Sequence, residues 1–337
     1  MATEKILIVG PAWIGDMVMA QTLFKTLRQQ YPLAELHVLA PDWTRALLSR
    51  MPEINKAISL PFAHGELNLK KRWQLGRSLR QANYSQAIVL PNSFKSALIP
   101  FFAGIKKRIG WRGEFRYGLL SELRILNKTQ YPLMIERFMA LGVPSTQLLK
   151  KPYPLPQLII NHDSLQAVAN KYQLQVDKPI IALCPGVAFG PSKRWPAEYF
   201  AEVAKSKLQE GYQIWLFGSL ADKPLAEIIQ AQNNKRCVDL CGGTSLAEAI
   251  DLLSLAKLIV TNDSGLMHIG AALHKPLIAI YGSTSADFTP PLGDRVKILN
   301  LNLACSPCFK RECPLGHLRC MKDLTPEQVI TAIKEFI

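Results

Sequence analysis

Two widely separated stretches of this chain share one grammar, an apolar strand passing through a short turn into a helix. That grammar commits the fold to parallel sheets. Lys5–Gly10 (KILIVG) reads as a strand, followed by the loop Gly10-Pro11-Ala12-Trp13-Ile14-Gly15-Asp16, a helical run Met17–Gln30 and a further strand, Glu35–Leu39. Strand–helix–strand units of this kind join parallel strands. Downstream, Leu258–Thr261 reads as a short buried strand, Asn262-Asp263-Ser264-Gly265 supply turn and N-cap chemistry, and Leu266–Leu273 favour helix. The free N–H groups of such a helix start point at an anion. Asp263 sits at its mouth, where it can accept hydrogen bonds from ligand hydroxyls, and His268 lies one turn further on. An ordinary capped helix with a satisfied core histidine fits the same residues.

The first loop spaces its glycines G-x4-G, so it is not the dinucleotide fingerprint, and no Lys-Ser/Thr follows to make a P-loop. Asp16 opens the helix. It caps the N-terminus on one reading; on the other it is a carboxylate facing the crevice where open α/β sheets do chemistry.

Further strands are expected at Ala87–Leu90, ending at Pro91-Asn92-Ser93, and at Ile180–Cys184, Ile214–Phe217 and Leu277–Tyr281. The last two close on Gly218-Ser219 and on Gly282-Ser283-Thr284-Ser285. Between the two series, Pro144, Pro152, Pro154 and Pro156 punctuate a crossing, with a helix near Asp163–Tyr172. At 337 residues the chain accommodates two domains with separate cores. We therefore expect an α/β protein of two Rossmann-like domains facing across a cleft. Residues 1–155 form the first, 156–178 the crossing and 179–322 the second, while a final helix, Pro326–Phe336 within 323–337, is free to return to the first.

MATEKILIVG lacks the basic and apolar regions of a signal peptide, and the apolar run Ala97–Ile105 is too short to span a bilayer and contains Pro100. The expectation is a soluble cytoplasmic protein with reduced thiols. Its net charge of +14 is lopsided, with +12 in residues 1–150 and +2 in the remainder. Lys70–Arg116 alone holds 11 basic residues against the single acid Glu114. Such asymmetry suits an anionic partner at one side more than a generally solvated surface. Nucleic acid is disfavoured, because no recognised binding module is present. Trp73, Phe94, Phe101, Phe102, Trp111, Phe115 and Tyr117 are equally suited to a core or to a lipid interface.

A third loop, Pro185-Gly186-Val187-Ala188-Phe189-Gly190-Pro191-Ser192-Lys193-Arg194-Trp195-Pro196, follows a strand and presents two cations just before a Pro-initiated helix. A lysine there serves as a point charge for phosphate, and the arginine favours bidentate contacts.

Taken in order, ILIVGPAWIGDM (6–17), PGVAFGPSKRWP (185–196) and TNDSGLMHIGAAL (261–273) resemble the family 9 glycosyltransferases, the ADP-heptose:lipopolysaccharide heptosyltransferases. KRWP and the late stretch CSPCFKRECPLGHLRC are similar to the type II members rather than type I. The resemblance implies a GT-B fold with ADP-heptose held chiefly by the C-terminal domain. It also implies inverting transfer to the first heptose of the inner core, a phosphorylated glycolipid, at the cytoplasmic face of the inner membrane, with peripheral membrane contact. Asp16 matches the family's proposed base, although a carboxylate at a helix N-terminus is held in its charged form and is thereby a weaker base. Lys193 and the helix start at Ser264-Gly265-Leu266 would stabilise the leaving ADP, Asp263 would contact the donor sugar, and His268 would lie beside the phosphates. Gly186, Arg194, Gly218 and Ser219 complete the expected donor site. Gly15, Asp16, Lys70, Lys71, Arg72, Lys106, Lys107 and Arg108 make the expected acceptor site.

No Asp-x-Asp occurs, which fits an enzyme without metal or other cofactor, and Val187-Ala188-Phe189 lack the hydroxyls that some relatives carry there. Cys305, Cys308, Cys313 and Cys320 are spaced x2, x4 and x6, with His317 among them. A reduced thiol cluster is favoured over a zinc site, because the spacings are shorter than in common zinc ribbons. Cys184, Cys237 and Cys241 read as small core residues. Three alternatives stay open: a type I enzyme, another sugar-nucleotide enzyme such as an epimerase, and a non-catalytic protein binding acidic lipid or nucleic acid.

Overall fold

The computed structural model describes residues 4–62 and 65–337, so the Met1-Ala2-Thr3 start lies outside the described residues. Two compact units meet in sequence between Pro156 and Gln157. The first runs β1 (Lys5–Val9), α1 (Ile14–Gln30), β2 (Glu35–Ala40), α2 (Arg45–Leu48), β3 (Lys56–Ser59), α3 (Leu69–Leu79), β4 (Gln86–Val89), α4 (Phe94–Phe102), β5 (Lys107–Trp111), β6 (Glu122–Arg124) and α5 (Met134–Gly142). Its sheet has the order β3-β2-β1-β4-β5-β6 with every pair parallel.

The second unit runs α6 (His162–Lys171), β7 (Ile180–Cys184), α7 (Ala197–Gln209), β8 (Gln213–Leu216), α8 (Lys223–Gln232), β9 (Val238–Asp239), α9 (Leu246–Leu253), β10 (Leu258–Asn262), α10 (Gly265–Ala272), β11 (Leu277–Ile280), β12 (Val296–Leu299), α11 (Arg319–Lys322) and α12 (Pro326–Ile333). Its sheet, β12-β11-β10-β7-β8-β9, is also parallel throughout. Each sheet therefore carries the doubly wound order 3-2-1-4-5-6 of a Rossmann fold, and the pair of them is the GT-B class.

Central strands covered on both faces by helices lose the polar alternation of a half-exposed strand. Hence β1, β7 and the first three residues of β10 are almost wholly apolar, and Ile6–Ile8 and Ile181–Cys184 are fully buried. In each sheet the chain reverses its winding beside the first strand, between β1 and β4 and between β7 and β10. Crevices open at such switch points, beyond the carboxyl ends of the strands. The four loops picked out by the sequence, after β1, β4, β7 and β10, flank these two positions.

Helix α1 begins three residues earlier than the expected Met17, because Trp13 already holds the extended N-cap conformation. Asp16 is therefore a residue of the first turn and not the cap. The apolar run at 97–105 belongs to α4, which tolerates Pro100 within it, and no described helix is long and apolar enough to cross a membrane. Helix α6, capped by Asn161, packs on α9. Helix α12 packs on α7 and β11, with Val329 and Ile333 in the same core as Trp195 and Phe200.

Candidate functional site

In the first unit a cavity of about 550 Å³ opens at the switch point, lined by the loops after β1 and β4 together with Asp16, Arg72, Lys95, Glu114 and Arg137. Gly15 and Asp16 are the second and third residues of α1, so the carboxylate sits where unpaired helix N–H groups favour negative charge. The indole of Trp43 donates to Ala12 O at 3.0 Å and holds this loop.

The basic segment is not one surface. Lys70 and Lys71 are exposed in the first turn of α3. Arg72, expected as an acceptor-binding charge, is 2% exposed. Its guanidinium lies 4.0 Å from the Phe62 ring centroid and donates to the carbonyls of Leu67, Glu66 (2.9 Å) and Lys95 (3.3 Å). It pins the loop before α3 to α4 while facing the cavity. Lys106 and Lys107 are exposed, and Arg108 bonds the carbonyls of Leu119 and Ile105. Lys107 pairs in register with Gln86 and Gln86 with Ile6, which places all three residues at the amino end of the sheet. At roughly 3.3 Å per residue, a four-residue strand sets them about 13 Å from the carboxyl edge where the cavity lies. The structure does not bring them to Asp16.

Two residues of this unit carried no sequence signal. Arg116 is fully buried and donates to Pro91 O (2.6 Å), Asn92 Oδ1 (3.2 Å) and Trp111 O, tying the loop after β4 to the end of β5. Burial lowers its pKa to about 10, against the opposing pull of Glu114. Glu114, the single acid of the basic run, accepts from Phe94 N at 2.7 Å and caps α4, where Ser93 makes no side-chain cap.

In the second unit residues of the Pro185–Pro196 loop and of β10 do converge. Lys193 Nζ lies 2.6 Å from Asp263 Oδ2, and the Thr284 hydroxyl donates to the same oxygen at 2.5 Å. Both Asp263 and Thr284 are buried, and Lys193 nearly so. Asn262 ends β10 rather than forming the turn. Its amide donates to Pro185 O at 2.7 Å and accepts from Trp195 N at 3.2 Å, so one side chain staples both ends of the Pro185–Pro196 loop. Trp195 is fully buried, its indole donating to Leu324 O. Ser264 caps α10 by backbone conformation alone, with Gly265 and Leu266 as the first helical residues. Gly218 and Ser219 lead into a turn closed by Asp222, whose carboxylate accepts from Ser219 N (2.8 Å) and Oγ (2.7 Å). A Cβ at Gly186 would collide with that carboxylate, which explains the glycine. Asp222 and Thr284 were missed in the sequence, because only strand adjacency brings their loops to the site.

His268 is buried, and desolvation lowers its pKa to about 4 despite the nearby Asp263. The unfolded chain takes up this proton near pH 6.5 and the folded chain only near 4, so acidification between those values favours unfolding. Replacing His268 with glutamine should flatten the loss of stability across that window in chemical denaturation curves. An unchanged slope would show that the imidazole titrates alike in both states.

Cys305 is exposed, Cys308 and Cys313 are partly buried, and Cys320 is buried. Among the described residues, no group of three or more His, Cys, Asp or Glu side chains is placed to hold a metal ion. Cys184, Cys237 and Cys241 are buried, and burial pushes their thiols up, Cys237 to about 11.

Residues 72–319 match the model for glycosyltransferase family 9 (heptosyltransferase). The chain is 47% identical to lipopolysaccharide heptosyltransferase 2 of Escherichia coli K12, over 99% of this chain and 98% of that one. It is 45% identical to lipooligosaccharide heptosyltransferase 2 of Haemophilus ducreyi, over 99% of both. Among solved structures it is similar to the E. coli ADP-heptose LPS heptosyltransferase II, with a TM-score of 0.89, 44% identity and 98% coverage of each chain.

Proposed function

The chain belongs to glycosyltransferase family 9, the heptosyltransferases, and from that premise we propose that it is a type II enzyme. It transfers heptose from ADP-L-glycero-D-manno-heptose to the first heptose of the lipopolysaccharide inner core, with inversion. The observation that carries this reading is the buried Lys193–Asp263–Thr284 cluster beside the start of α10. It joins a cation, a hydrogen-bonded carboxylate and free helix N–H groups, which suits a sugar attached to a diphosphate.

In this mechanism the acceptor hydroxyl attacks the anomeric carbon from the face opposite the diphosphate. The new C–O bond forms as the bond to the phosphate oxygen breaks; ADP leaves with the electron pair, and the hydroxyl proton passes to the Asp16 carboxylate. Lys193 and the α10 N-terminus meet the charge growing on ADP. Asp263, oriented by Lys193 and Thr284, accepts hydrogen bonds from heptose hydroxyls. His268, uncharged at neutral pH, packs beside the phosphates without adding a cation.

The acceptor is a phosphorylated glycolipid at the cytoplasmic face of the inner membrane, and the enzyme touches that surface peripherally. Exposed Lys70 and Lys71 near exposed Trp73 support this. Glutamines at Lys70 and Lys71 should raise the acceptor KM several-fold and leave the donor KM unchanged. An unchanged acceptor KM would remove these two lysines from the acceptor site.

The deciding assay is ADP release from ADP-heptose with heptosyl-Kdo2-lipid A, compared with Kdo2-lipid A. Turnover confined to the heptosylated acceptor is the expected result. Turnover with the unheptosylated one would make the enzyme type I, and none with either would send the search to other sugar nucleotides.

A further inference from the structure

The late stretch CSPCFKRECPLGHLRC takes no part in the mechanism above, yet its backbone is built into the donor loop. Ser192 N donates to Arg311 O (3.1 Å), Ser192 Oγ donates to Lys310 O (2.5 Å), and Phe309 N donates to Ser283 O (2.7 Å). The Ser192 and Ser283 hydroxyls, both buried, lie 3.0 Å apart. A Cβ at Gly190 would collide with the backbone of Arg311, so this glycine lets the two segments touch. Lys310 and Arg311 are thus fixed against Ser192, the residue immediately before Lys193, and Phe309 against Ser283.

That contact places a second cation. The guanidinium of Arg311 lies 5.6 Å from the centroid of Phe189, and Lys193 Nζ lies 5.1 Å from the same centroid. One aromatic ring thereby serves both cations, at a position where the loop carries no hydroxyl residue. The charge balance calls for such a group. Asp263 at 2.6 Å matches the charge of Lys193, and His268 contributes none at neutral pH. A nucleoside diphosphate at this loop would meet a pair already neutral, with only helix N–H groups beside it. Arg194 and Arg311 have no carboxylate partner among the described residues. Arg194 has its Nε buried and unbonded within the loop, whereas the Arg311 side chain is exposed and free to swing.

We propose that Arg311 is a second cationic ligand of the donor's diphosphate, carried to the site by the cysteine-flanked segment and parked on Phe189 until the nucleotide arrives. The proposal rests on the ADP-sugar reading given above. A guanidinium grips two phosphate oxygens at once, which a lysine does not. The neighbouring cysteines then flank a segment whose fold is needed for donor binding.

Titration calorimetry with ADP and with adenosine, on the wild type, Arg311→Gln and Arg311→Lys, tests this. Loss of a charge-assisted contact should weaken ADP binding by about 10- to 100-fold in Arg311→Gln. Adenosine binding should not change, and Arg311→Lys should recover only part of the loss. The salt dependence of ADP binding should also become shallower in Arg311→Gln. Unchanged ADP affinity would overturn the proposal, as would an equal loss for adenosine, which would mark a purely structural role. Wild-type turnover with ADP-heptose, assayed on the same preparation, separates the two claims. Its absence sinks the transferase reading while the ADP titration still decides Arg311, and a wild type that binds no ADP overturns both.

Discussion

Asp16→Asn is expected to reduce heptosyl transfer by about 10²- to 10⁴-fold, the range that general-base catalysis supplies. ADP-heptose binding should stay close to wild type, because Asp16 lies in the first unit and the donor cluster in the second. The substitution keeps the shape of the side chain and removes its charge and basicity. A first-turn carboxylate's interaction with the helix dipole contributes about 0.3–1 kcal/mol to stability, and chemical denaturation of the variant measures the whole cost. A folded variant with this loss of rate separates catalysis from stability. Parallel measurements of ADP release and equilibrium donor binding check the result, and a variant turning over near the wild-type rate would remove Asp16 as the base.

Lys193→Met should lower kcat by about 10²- to 10³-fold, the usual effect of deleting one group that stabilises developing charge. It should also lower stability, unlike Asp16→Asn. Asp263 is 5% exposed, and without Lys193 its carboxylate keeps the Thr284 hydroxyl but no neutralising cation. Breaking such a pair from one side costs about 3 kcal/mol. The double variant Lys193→Met with Asp263→Asn removes the stranded charge. It should regain most of the stability while remaining inactive. If stability and rate recovered together, the pair would be architectural and the diphosphate would depend on other cations.

The central strands were legible because burial on both faces leaves apolar runs such as ILIV at β1, AIV within β4 and LIV at the start of β10. The outer strands β3, β5, β6, β9 and β12 were not. KAIS, KRIGW, ELR, VD and VKIL are short and mostly carry charge, so they resemble loops to any periodicity argument. Doubly wound order follows from the repeated crossover grammar even when its edges are missed.

Site legibility divides in the same way. Lys193 and Asp263 announce themselves by standing at loop–helix junctions. Thr284 lies 21 residues beyond Asp263 and joins it because β10 and β11 are neighbours in the sheet. Arg72 misleads for a different reason. A guanidinium with five donors can be held largely by backbone carbonyls, as Arg72 is by three, so arginine in a basic run can be interior scaffolding. The cysteine spacing drew attention to metal binding, whereas the contacts come from the backbone between those cysteines.

The break between Pro156 and Gln157 has an evolutionary corollary. No strand of either sheet is borrowed from the other side of that point, and every hydrogen bond among Lys193, Asp263 and Thr284 is internal to the downstream half. A single recombination event there exchanges one gene half without dismantling either hydrophobic core. Under the proposed division of labour, lineages can diversify the glycolipid they decorate by inheriting a new upstream half, while the half proposed to handle the nucleotide passes down intact.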